Sequence, residues 1–330
     1  MILQLKNSEK VCAVVVTFNR KELLIECLNG LCSQSLPIDS ILIIDNASTD
    51  GTEAHIQTCE YIENETQNND VEYKTGQKTV ESSSEDQILK NYNYCIFKTK
   101  TNTKIYYVKM KQNTGGAGGF HEGVKLSYKL GFDWIWLMDD DVEPAINAHE
   151  EIDKYKKIFS CMQCNRINLD GTQFNWEQLY FPYLNISIPK NTLKNKNFSL
   201  VNTCSFEGFF LKRDVIEVVG LPPKDYFIRW DDLIYGYQCS EKFEIALLRN
   251  AILKRKLNLK KNLNNFSVYY ELRNRIITRR IINKQIQISK KFAFIAVALE
   301  IYAICNILLK WNLSKLVIFK AIRDGYGKKM

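Results

Sequence analysis

Two unbroken runs of apolar residues, rich in β-branched side chains, stand in the first fifty positions. They read VCAVVVTF at 11–18 and ILIIDN at 41–46. Unbroken runs are typical of strands buried on both faces of a parallel sheet. Between the runs, apolar residues recur at helical spacing: Leu23, Leu24, Cys27, Leu28 and Leu31. With Asn19 as the N-cap and Glu22 three residues later, the pattern predicts a βαβ unit.

The same rhythm returns after residue 103. KIYYVKM at 104–110 predicts a third strand, 118–131 a helix, and DWIWLMDD at 133–140 a fourth strand. The polar segments TFNR, DNASTDGT, QNTGGAGG and DDD follow these strands, and an open parallel sheet binds ligands beyond the carboxyl ends of its strands. We therefore expect an α/β fold, a mostly parallel, Rossmann-like sheet flanked by helices, with a ligand site at that edge.

Residues 60–103 interrupt this rhythm. They are rich in Asn, Glu, Ser, Thr and Lys and hold too few apolar residues for a core, which predicts a partly mobile surface insertion. The NYNYCIF end of this stretch is expected to pack as an edge strand or a short helix. We place a catalytic domain at 1–250 and a helical C-terminal region at 251–330.

The net charge of +8 is unevenly distributed. Residues 251–330 hold eighteen Lys and Arg against three acids, a balance of +15, so residues 1–250 carry −7. A basic tail on an acidic body indicates either nucleic acid or an anionic membrane surface as a partner.

Cysteine usage and the N-terminus bear on the compartment. The ten cysteines are scattered, and the C-x-x-C at 161–164 has no second pair or nearby histidine for a zinc site. This spacing predicts reduced thiols, as in the cytoplasm. The first twenty residues lack a basic segment leading into a long apolar one, so we expect a protein that is not secreted.

Three consecutive carboxylates, Asp139 to Asp141, follow the buried run WIWLM. Such a cluster is either a solvated strand end that caps a helix or a cation site. Strand alternation puts Asp139 and Asp141 on one side and Asp140 on the other. Two adjacent carboxylates suit a hard divalent cation, which can hold a diphosphate. The position at the ligand edge favours Mg²⁺ or Mn²⁺ with a nucleotide-sugar.

The motifs together resemble family 2 inverting glycosyltransferases. The resemblance rests on VVVTFNRKELLIECLNGLCSQSLPIDSILIIDNASTDGT, QNTGGAGGFHEGVKLSYKLGFDWIWLMDDDVEP, GFFLKRDVIEVVGLPPKDYFIRWDDLIYGYQ and YYELRNRI. Within that family the chain is most similar to the branch of galactofuranosyltransferases and bacterial polysaccharide rhamnosyltransferases. The resemblance implies a GT-A fold, a nucleotide-sugar donor, a D-x-D metal site and inversion by a single displacement.

The resemblance assigns donor binding to eight positions: Thr17, Asn19, Arg20, Asp45, Asn113, Gly115, Gly116 and Asp140. The first three match a loop that touches the base and ribose, and Asp45 matches an acid that accepts from N3–H of uracil or thymine. The glycines let backbone N–H groups approach the donor. Asp139 and Asp141 match the D-x-D. A solvated helix start for Arg20 and a plain turn for the glycines are the alternatives.

The segment YFIRWDDLIYGY at 226–237 matches the family's acceptor side. Asp232 corresponds to the base that takes the proton of the attacking hydroxyl, and Asp231 is the acid beside it. The alternative role for this pair is helix capping. Four residues are expected at the acceptor cleft: Trp230, Tyr235, Phe209 and Glu207. Core packing is an equally compatible role for Trp230 and Tyr235.

The chain departs from its relatives at one metal ligand. Such proteins often place a histidine about two dozen residues beyond the base, but the histidines here are His55, His121 and His149. The corresponding segment, RNAILKRKLN, holds cations at 254–256 instead. We expect one of them to contact the diphosphate directly.

The tail contains a mostly apolar stretch at 290–311, which Glu300 and Asn306 interrupt. An interfacial helix or a helical pair fits better than a membrane span. Nucleic acid is disfavoured, because an apolar stripe stands where aromatic or polar readers would be needed; a helix buried on the catalytic domain is the remaining alternative. Basic residues are expected to face anionic lipid: Arg273, Arg275, Arg279, Arg280, Lys290 and Lys291.

The sequence thus predicts an inverting glycosyltransferase, peripheral on the cytoplasmic face of the membrane, that extends a lipid-linked glycan. UDP-galactofuranose is the preferred donor and dTDP-rhamnose the second. A sugar-phosphate nucleotidyltransferase would carry a glycine-rich loop after the first strand, which TFNRKELL lacks. A catalytically inactive scaffold would have lost Asp232 or the D-x-D, and both are present.

Overall fold

A computed structural model describes residues 9–63, 84–174, 176–189, 193, 196–257, 264–285, 294–295, 297–299, 301–302 and 315–327. Its strands are β1 (Val11–Thr17), β2 (Ser40–Asp45), β3 (Asn93–Phe97), β4 (Lys104–Lys109), β5 (Trp134–Asp139), β6 (Val142–Pro144), β7 (Cys161–Ile167), β8 (Glu177–Phe181), β9 (Ile186–Pro189), β10 (Phe198–Val201), β11 (Phe209–Lys212) and β12 (Ile245–Arg255). Its helices are α1 (Lys21–Cys32), α2 (Thr52–Ile56), α3 (Ser84–Leu89), α4 (Gly115–Lys129), α5 (Ala148–Asp153), α6 (Arg213–Val219), α7 (Asp231–Ser240), α8 (Asn265–Gln285) and α9 (Lys315–Gly327).

A large mixed sheet organises the molecule, in the order β10, β12, β7, β11, β5, β1, β2, β4, β3, with β6 beside β12. β4, β2, β1 and β5 run parallel to one another, as do β12 and β7. β11 joins the two parallel groups by antiparallel pairing with β5 and β7. The predicted α/β fold with a mostly parallel sheet is confirmed, and the four strands predicted from apolar runs are β1, β2, β4 and β5.

Helices cover both faces of this sheet because the residues of β1 point alternately to two cores. Val11, Ala13 and Val15 pack with the apolar side of α1. The residues between them pack with α4 on the other face. The helix comes close to the strand, since a Cβ on Gly123 would lie 2.3 Å from Cγ1 of Val14. The core therefore lies on both sides of the strands whose ends carry the polar segments.

The predicted insertion at 60–103 ends in ordered elements. α3 and β3 lie in its second half, and β3 pairs antiparallel with β4 as the edge strand of the sheet. The expectation of an edge strand in NYNYCIF is confirmed. Residues 64–83, where mobility was predicted, lie outside the described residues.

The predicted boundary between the catalytic domain and the C-terminal region is residue 250. That boundary falls inside β12, so the sheet continues to Arg255. α8 then packs on the body of the protein through Ile277 and Ile282, and on α9 through Val268 and Leu272. α8 is thus packed against the body of the protein, and it precedes the apolar stretch 290–311 for which burial on the catalytic domain was the alternative.

The predicted lipid-facing cations are mostly engaged within the protein. Arg279 is buried, and Arg280 donates to the carbonyl oxygen of Gly325, so neither fits the expected exposed position. Lys290, Lys291 and most of the apolar stretch 290–311 lie outside the described residues. None of the helices in the described part of the chain is long and apolar enough to cross a membrane.

Candidate active site

An open cavity of about 930 Å³ lies at the carboxyl ends of β1 and β5. It is lined from β1 by Thr17, from the loop after it by Arg20, and from β5 by Asp139. Residues 227–233, at the start of α7, also line it. The cavity therefore joins the segments predicted to bind the donor to the segment predicted to hold the base.

Three carboxylates form a compact group in this cavity. Among the described residues, Asp139, Asp141 and Glu207 are the acids grouped closely enough to hold a metal ion, with one oxygen of each within 4.8 Å of the others. Burial raises the pKa of Asp139 well above its ordinary value, and the charges of Asp141 and Glu207 raise it further. Burial and Glu207 likewise raise the pKa of Asp141. A divalent cation would relieve this repulsion, and hard oxygen ligands suit Mg²⁺ or Mn²⁺.

Two buried arginines hold Glu207 in place. Nη1 of Arg166 donates to Oε2 of Glu207, and Nε of Arg255 donates to the same oxygen at 3.1 Å. Although burial opposes it, the two guanidinium groups hold the pKa of Glu207 below its ordinary value. Both guanidinium groups also lie over the ring of Phe174. Arg166 was missed from the sequence, although an arginine inside the otherwise uncharged strand CMQCNRI is an available signal.

Asp140 stands apart from the three grouped acids. Its carboxylate accepts from Oγ1 of Thr17 at 2.7 Å and from Nη1 of Arg20 at 3.1 Å. Arg20 also reaches Asp141 at 3.1 Å. Burial raises the pKa of Asp140 to about 6, against the opposing effect of Arg20. Asp139 and Asp141 are grouped and Asp140 is not, although β5 ends at Asp139 and the other two acids lie in the turn that follows it. Nη1 of Arg20 connects Asp140 to Asp141.

The glycine segment forms the N-terminus of α4, which begins at Gly115 rather than at the predicted residue 118. Asn113 accepts from the backbone N–H of Gly115 at 2.8 Å. Gly115 has φ of 71°, and a Cβ there would lie 2.1 Å from the carbonyl oxygen of Phe227. Gly116 has open space beside it. All three of the predicted residues line the cavity, at a helix start that can receive an anion.

The candidate base lies at the first turn of α7. Asp231 is buried and Asp232 is partly exposed, and both line the cavity. Burial raises the pKa of Asp231 well above its ordinary value, and the charge of Asp232 adds to this. Trp230 lines the cavity too, with its Nε1 donating to Glu271 of α8 at 2.9 Å. Glu271 was not predicted from the sequence, although it is one of three acids among the eighteen cations of residues 251–330.

Two predicted donor residues lie outside the cavity lining. Asp45 is fully buried, and its two oxygens accept from the hydroxyl of Tyr107 and the backbone N–H of Ser48. Asn46, the next residue, lines the cavity instead. Asn19 does not cap α1, which begins at Lys21; its Oδ1 accepts from the backbone N–H of Thr49 at 2.8 Å.

Two predicted acceptor residues belong to the core. Tyr235 is fully buried and its hydroxyl donates to the carbonyl oxygen of Gly220 at 3.0 Å. Phe209 is also fully buried, with its ring edge-on to Tyr235 at 6.4 Å. Neither residue lines the cavity, so both predictions are wrong. The sequence does not distinguish the side of β11 or α7 that faces the core from the side that faces the cavity. Trp230 and Glu207 do line it.

The cations at 254–256 take three different positions. Lys254 is exposed, and Lys256 pairs with Glu26 at 2.8 Å. Arg255 alone of the three lines the cavity, where it holds Glu207. In place of the absent histidine, the cavity thus presents a carboxylate held by arginines.

Comparisons with known proteins agree on one family. The Glycosyl transferase family 2 model matches residues 12–79 and 82–220. The galactofuranosyltransferase GlfT1 of Mycolicibacterium smegmatis is 27% identical over 244 residues, 69% of this chain and 64% of that protein. The chain therefore spans somewhat less than two thirds of the length of this relative.

Solved structures share the fold at low sequence identity. GalNAc-T7 with UDP, GalNAc and Mn²⁺ has a TM-score of 0.56 at 12% identity, over 84% of this chain and 48% of that chain. The mannosyltransferase PcManGT of Pyrobaculum calidifontis, in complex with GDP-Man and Mn²⁺, has a TM-score of 0.54 at 13% identity, over 97% and 88%. TarS of S. aureus has a TM-score of 0.50 at 14% identity, over 81% and 39%. These similarities support the GT-A-type fold.

Proposed function

Because the chain belongs to glycosyl transferase family 2, we propose that it moves galactofuranose from UDP-galactofuranose onto a lipid-linked glycan, in the synthesis of a bacterial surface polysaccharide. That the chain is a glycosyltransferase follows from the family match and the fold. The observation that carries the proposal is that one cavity is lined both by the grouped carboxylates and by the candidate base Asp232. The galactofuranosyltransferase among its relatives supports the choice of sugar.

Asp232 is the proposed base of an inverting displacement. The acceptor hydroxyl attacks the anomeric carbon, its proton passes to the carboxylate of Asp232, and the bond from that carbon to the diphosphate oxygen breaks. Asp232 suits this role because it is partly exposed in the cavity. Asp231 is buried, and burial together with the charge of Asp232 raises its pKa, so Asp232 is the more accessible carboxylate of the two.

Asp139, Asp141 and Glu207 are the proposed holders of Mg²⁺ or Mn²⁺. A bound cation would neutralise the charge that the departing diphosphate develops. Arg166 and Arg255 orient Glu207 toward this position. The N-terminus of α4 and Arg20 add further positive charge for the same anion.

The direct test is a donor screen with a synthetic lipid-linked acceptor. Purified protein receives UDP-galactofuranose, UDP-galactopyranose, UDP-GlcNAc or dTDP-rhamnose, with Mn²⁺ or Mg²⁺, and the Asp232→Asn variant serves as the blank. We expect UDP-galactofuranose to turn over at least about tenfold faster than the others. Faster transfer from dTDP-rhamnose would make this protein a rhamnosyltransferase. If no donor is turned over faster than in the blank, a catalytically inactive scaffold becomes the better interpretation.

We further propose that the protein binds the cytoplasmic face of the membrane, where a lipid-linked acceptor is presented. The support comes from α9, which has apolar residues on both faces. Ile318 packs on α8, whereas Leu316, Phe319 and Tyr326 are 79%, 68% and 59% exposed. The exposed side of α9 also carries cations: Lys315, Lys320 and Arg323. Apolar side chains among cations suit an anionic lipid surface.

Co-sedimentation with vesicles tests this second proposal. We expect the protein to pellet with phosphatidylglycerol vesicles at low salt and to be released at high salt, because the screening length falls as salt rises. Replacing Leu316 and Phe319 by Ser should lower binding about tenfold or more, whereas Ile158→Ser, an equally exposed apolar residue, should not. A protein that stays in the supernatant at low salt would contradict membrane binding.

A further inference from the structure

Residues 225–230 lead into the candidate base, and three of them have backbone conformations that L-residues seldom adopt. The φ angles of Phe227, Arg229 and Trp230 are 68°, 65° and 68°. Positive φ is unfavourable for residues other than glycine, and it persists where surrounding structure enforces it. This segment is therefore held by contacts from outside it.

The side chain of Asn274 in α8 provides the main restraint. It is fully buried, and its Nδ2 donates to the carbonyl oxygens of Tyr226, Ile228 and Arg229 at 2.9, 2.7 and 3.0 Å. Its Oδ1 accepts from Nε of Arg273 at 2.9 Å, which fixes the amide with its nitrogen toward the segment. The two N–H groups of one side chain are thus shared among three carbonyl groups that the unusual backbone turns toward α8.

Neighbouring side chains of α8 complete this restraint. Nη2 of Arg273 donates to the carbonyl oxygens of Asp225 and Tyr226 at 2.8 and 2.9 Å. Glu271 accepts from the indole N–H of Trp230. Five residues of the segment are therefore bonded to residues 271–274, one turn of the helix: Asp225, Tyr226, Ile228, Arg229 and Trp230.

The other side of the segment contacts the donor loop. The carbonyl oxygen of Phe227 accepts from the backbone N–H of Ala117 at 3.0 Å, and its ring stacks on Tyr270 with centroids 5.0 Å apart. Only glycine fits at position 115 beside this carbonyl. The segment is thus fixed between the start of α4 and the middle of α8.

Its C-terminal end sets the position of the base. Trp230 is the N-cap residue of α7, and Asp231 and Asp232 are the first residues of that helix. A change of the backbone at 229–230 therefore moves the carboxylate of Asp232 within the cavity. The helix residues responsible all come from the YYELRNRI segment at 269–276, to which neither the donor site nor the displacement assigns a role.

We propose that Asn274, assisted by Arg273, is a positioning residue that orients Asp232 toward the acceptor hydroxyl, an inference that rests on the proposed function. It does so by holding residues 226–230 in their left-handed conformations. The donor loops would remain in place without it, since they belong to the sheet edge. Loss of Asn274 should accordingly lower the chemical step and leave donor binding intact.

The test uses Asn274→Asp, which keeps the size of the side chain and removes both donor hydrogens. The matched control is Thr278→Val, one helical turn later, which is equally buried and loses one bond to the hydroxyl of Tyr226. Calorimetry counts the donor-binding sites, so that kcat can be expressed per site. We expect this kcat to fall about 100-fold in Asn274→Asp, while the donor Kd stays within about threefold of the wild-type value. Amide hydrogen exchange at 226–230 should quicken. The control should match wild type in all three measurements.

Retention of kcat within about threefold of the control, or unchanged exchange at 226–230, would overturn the inference. If the wild type transfers no sugar, the proposed function fails, while hydrogen exchange still reports whether Asn274 holds the segment. If Asn274→Asp does not fold, Arg273→Lys takes its place, because lysine lacks the second nitrogen with which Arg273 bonds Oδ1 of Asn274 while Nη2 bonds the two carbonyl groups. We expect a fall in kcat of about tenfold. Loss of donor binding together with kcat would assign both residues a general structural role and overturn the proposal.

Discussion

The side of the cavity that faces the donor and the side that carries the base are held by different means. Toward the donor, Thr17 ends β1, Asp139 ends β5, and Gly115 begins α4 directly after the loop from β4. Toward the base, Asp232 follows a segment that side chains of α8 and the backbone N–H of Ala117 hold in its conformation. A site at strand ends is maintained by the sheet itself, whereas a site on a strained segment depends on side chains distant in sequence. Donor binding and chemistry should therefore separate under mutation.

The largest separation is expected for Asp232→Asn. The variant should lose transfer by about 1,000-fold or more, because no base remains for the hydroxyl proton, and should bind donor as the wild type does. Turnover and calorimetry check the two halves of this statement. A variant that keeps more than about a tenth of the wild-type rate would rule out Asp232 as the base.

A converse pattern is expected on the donor side. Asp139→Ala or Asp141→Ala should weaken donor binding and the effect of Mn²⁺ together, by about 10- to 100-fold, since each removes a proposed metal ligand. Glu207→Gln should behave similarly, although less strongly, because a neutral amide keeps an oxygen in place. Asp140→Ala should do less than any of them. Donor titrations at several Mn²⁺ concentrations measure this, and equal losses at all positions would contradict the separate placement of Asp140.

The sequence revealed the donor side better than the base side, for physical reasons. Apolar runs predict buried strands, and ligand sites at the ends of parallel strands follow from topology, so Thr17, Arg20 and Asp139 could be placed in advance. The structure sets these residues in one cavity, and their roles stay predictions. Asp45 does not line the cavity whereas Asn46 does, because adjacent residues at a strand end point in opposite directions.

The sequence carries no comparable signal for side-chain contacts between segments that are distant along the chain. Glu207 meets Arg166 from β7 and Arg255 from β12, strands that are neighbours only in the folded sheet. Asn274 looked like an ordinary polar residue within a basic helix. Tyr235 looked like a sugar-stacking residue, because amphipathic spacing does not tell which buried face of a helix adjoins a cavity.

A smaller effect is expected within the base side. Glu271→Ala removes the acceptor for the indole N–H of Trp230, and we expect kcat to fall about tenfold with donor Kd unchanged, because a partly buried donor loses its partner. Arg229 forms an ion pair with Glu271 at 3.3 Å, and Arg229→Ala, which removes only the exposed end of that pair, should stay within about twofold of wild type. Steady-state kinetics of the two variants side by side decide this. A loss of equal size in both would place the effect in the ion pair.

The smallest effect concerns stability and belongs to the donor side. The pKa of Asp140 is raised from 3.8 to about 6, so the folded protein binds a proton there more tightly than the unfolded chain and loses that stabilisation as pH rises from about 4 through 6. Asp140→Asn should therefore gain stability relative to wild type over that range, on the order of 2 kcal/mol by pH 7. Urea unfolding at pH 4.5 and pH 7 without divalent cations measures the difference. A gap that does not widen with pH would contradict the raised pKa.

The contact between α8 and residues 226–230 also has a consequence for how the protein matures. Asn274 follows Tyr226 by 48 positions, so the segment leaves the ribosome well before the helix that restrains it. The donor loops and strands β1 to β11 precede both, and β12 precedes α8. We therefore expect a nascent or C-terminally clipped chain to hold a nucleotide-sugar before it can use one, with the docking of α8 as the folding step that starts the chemistry.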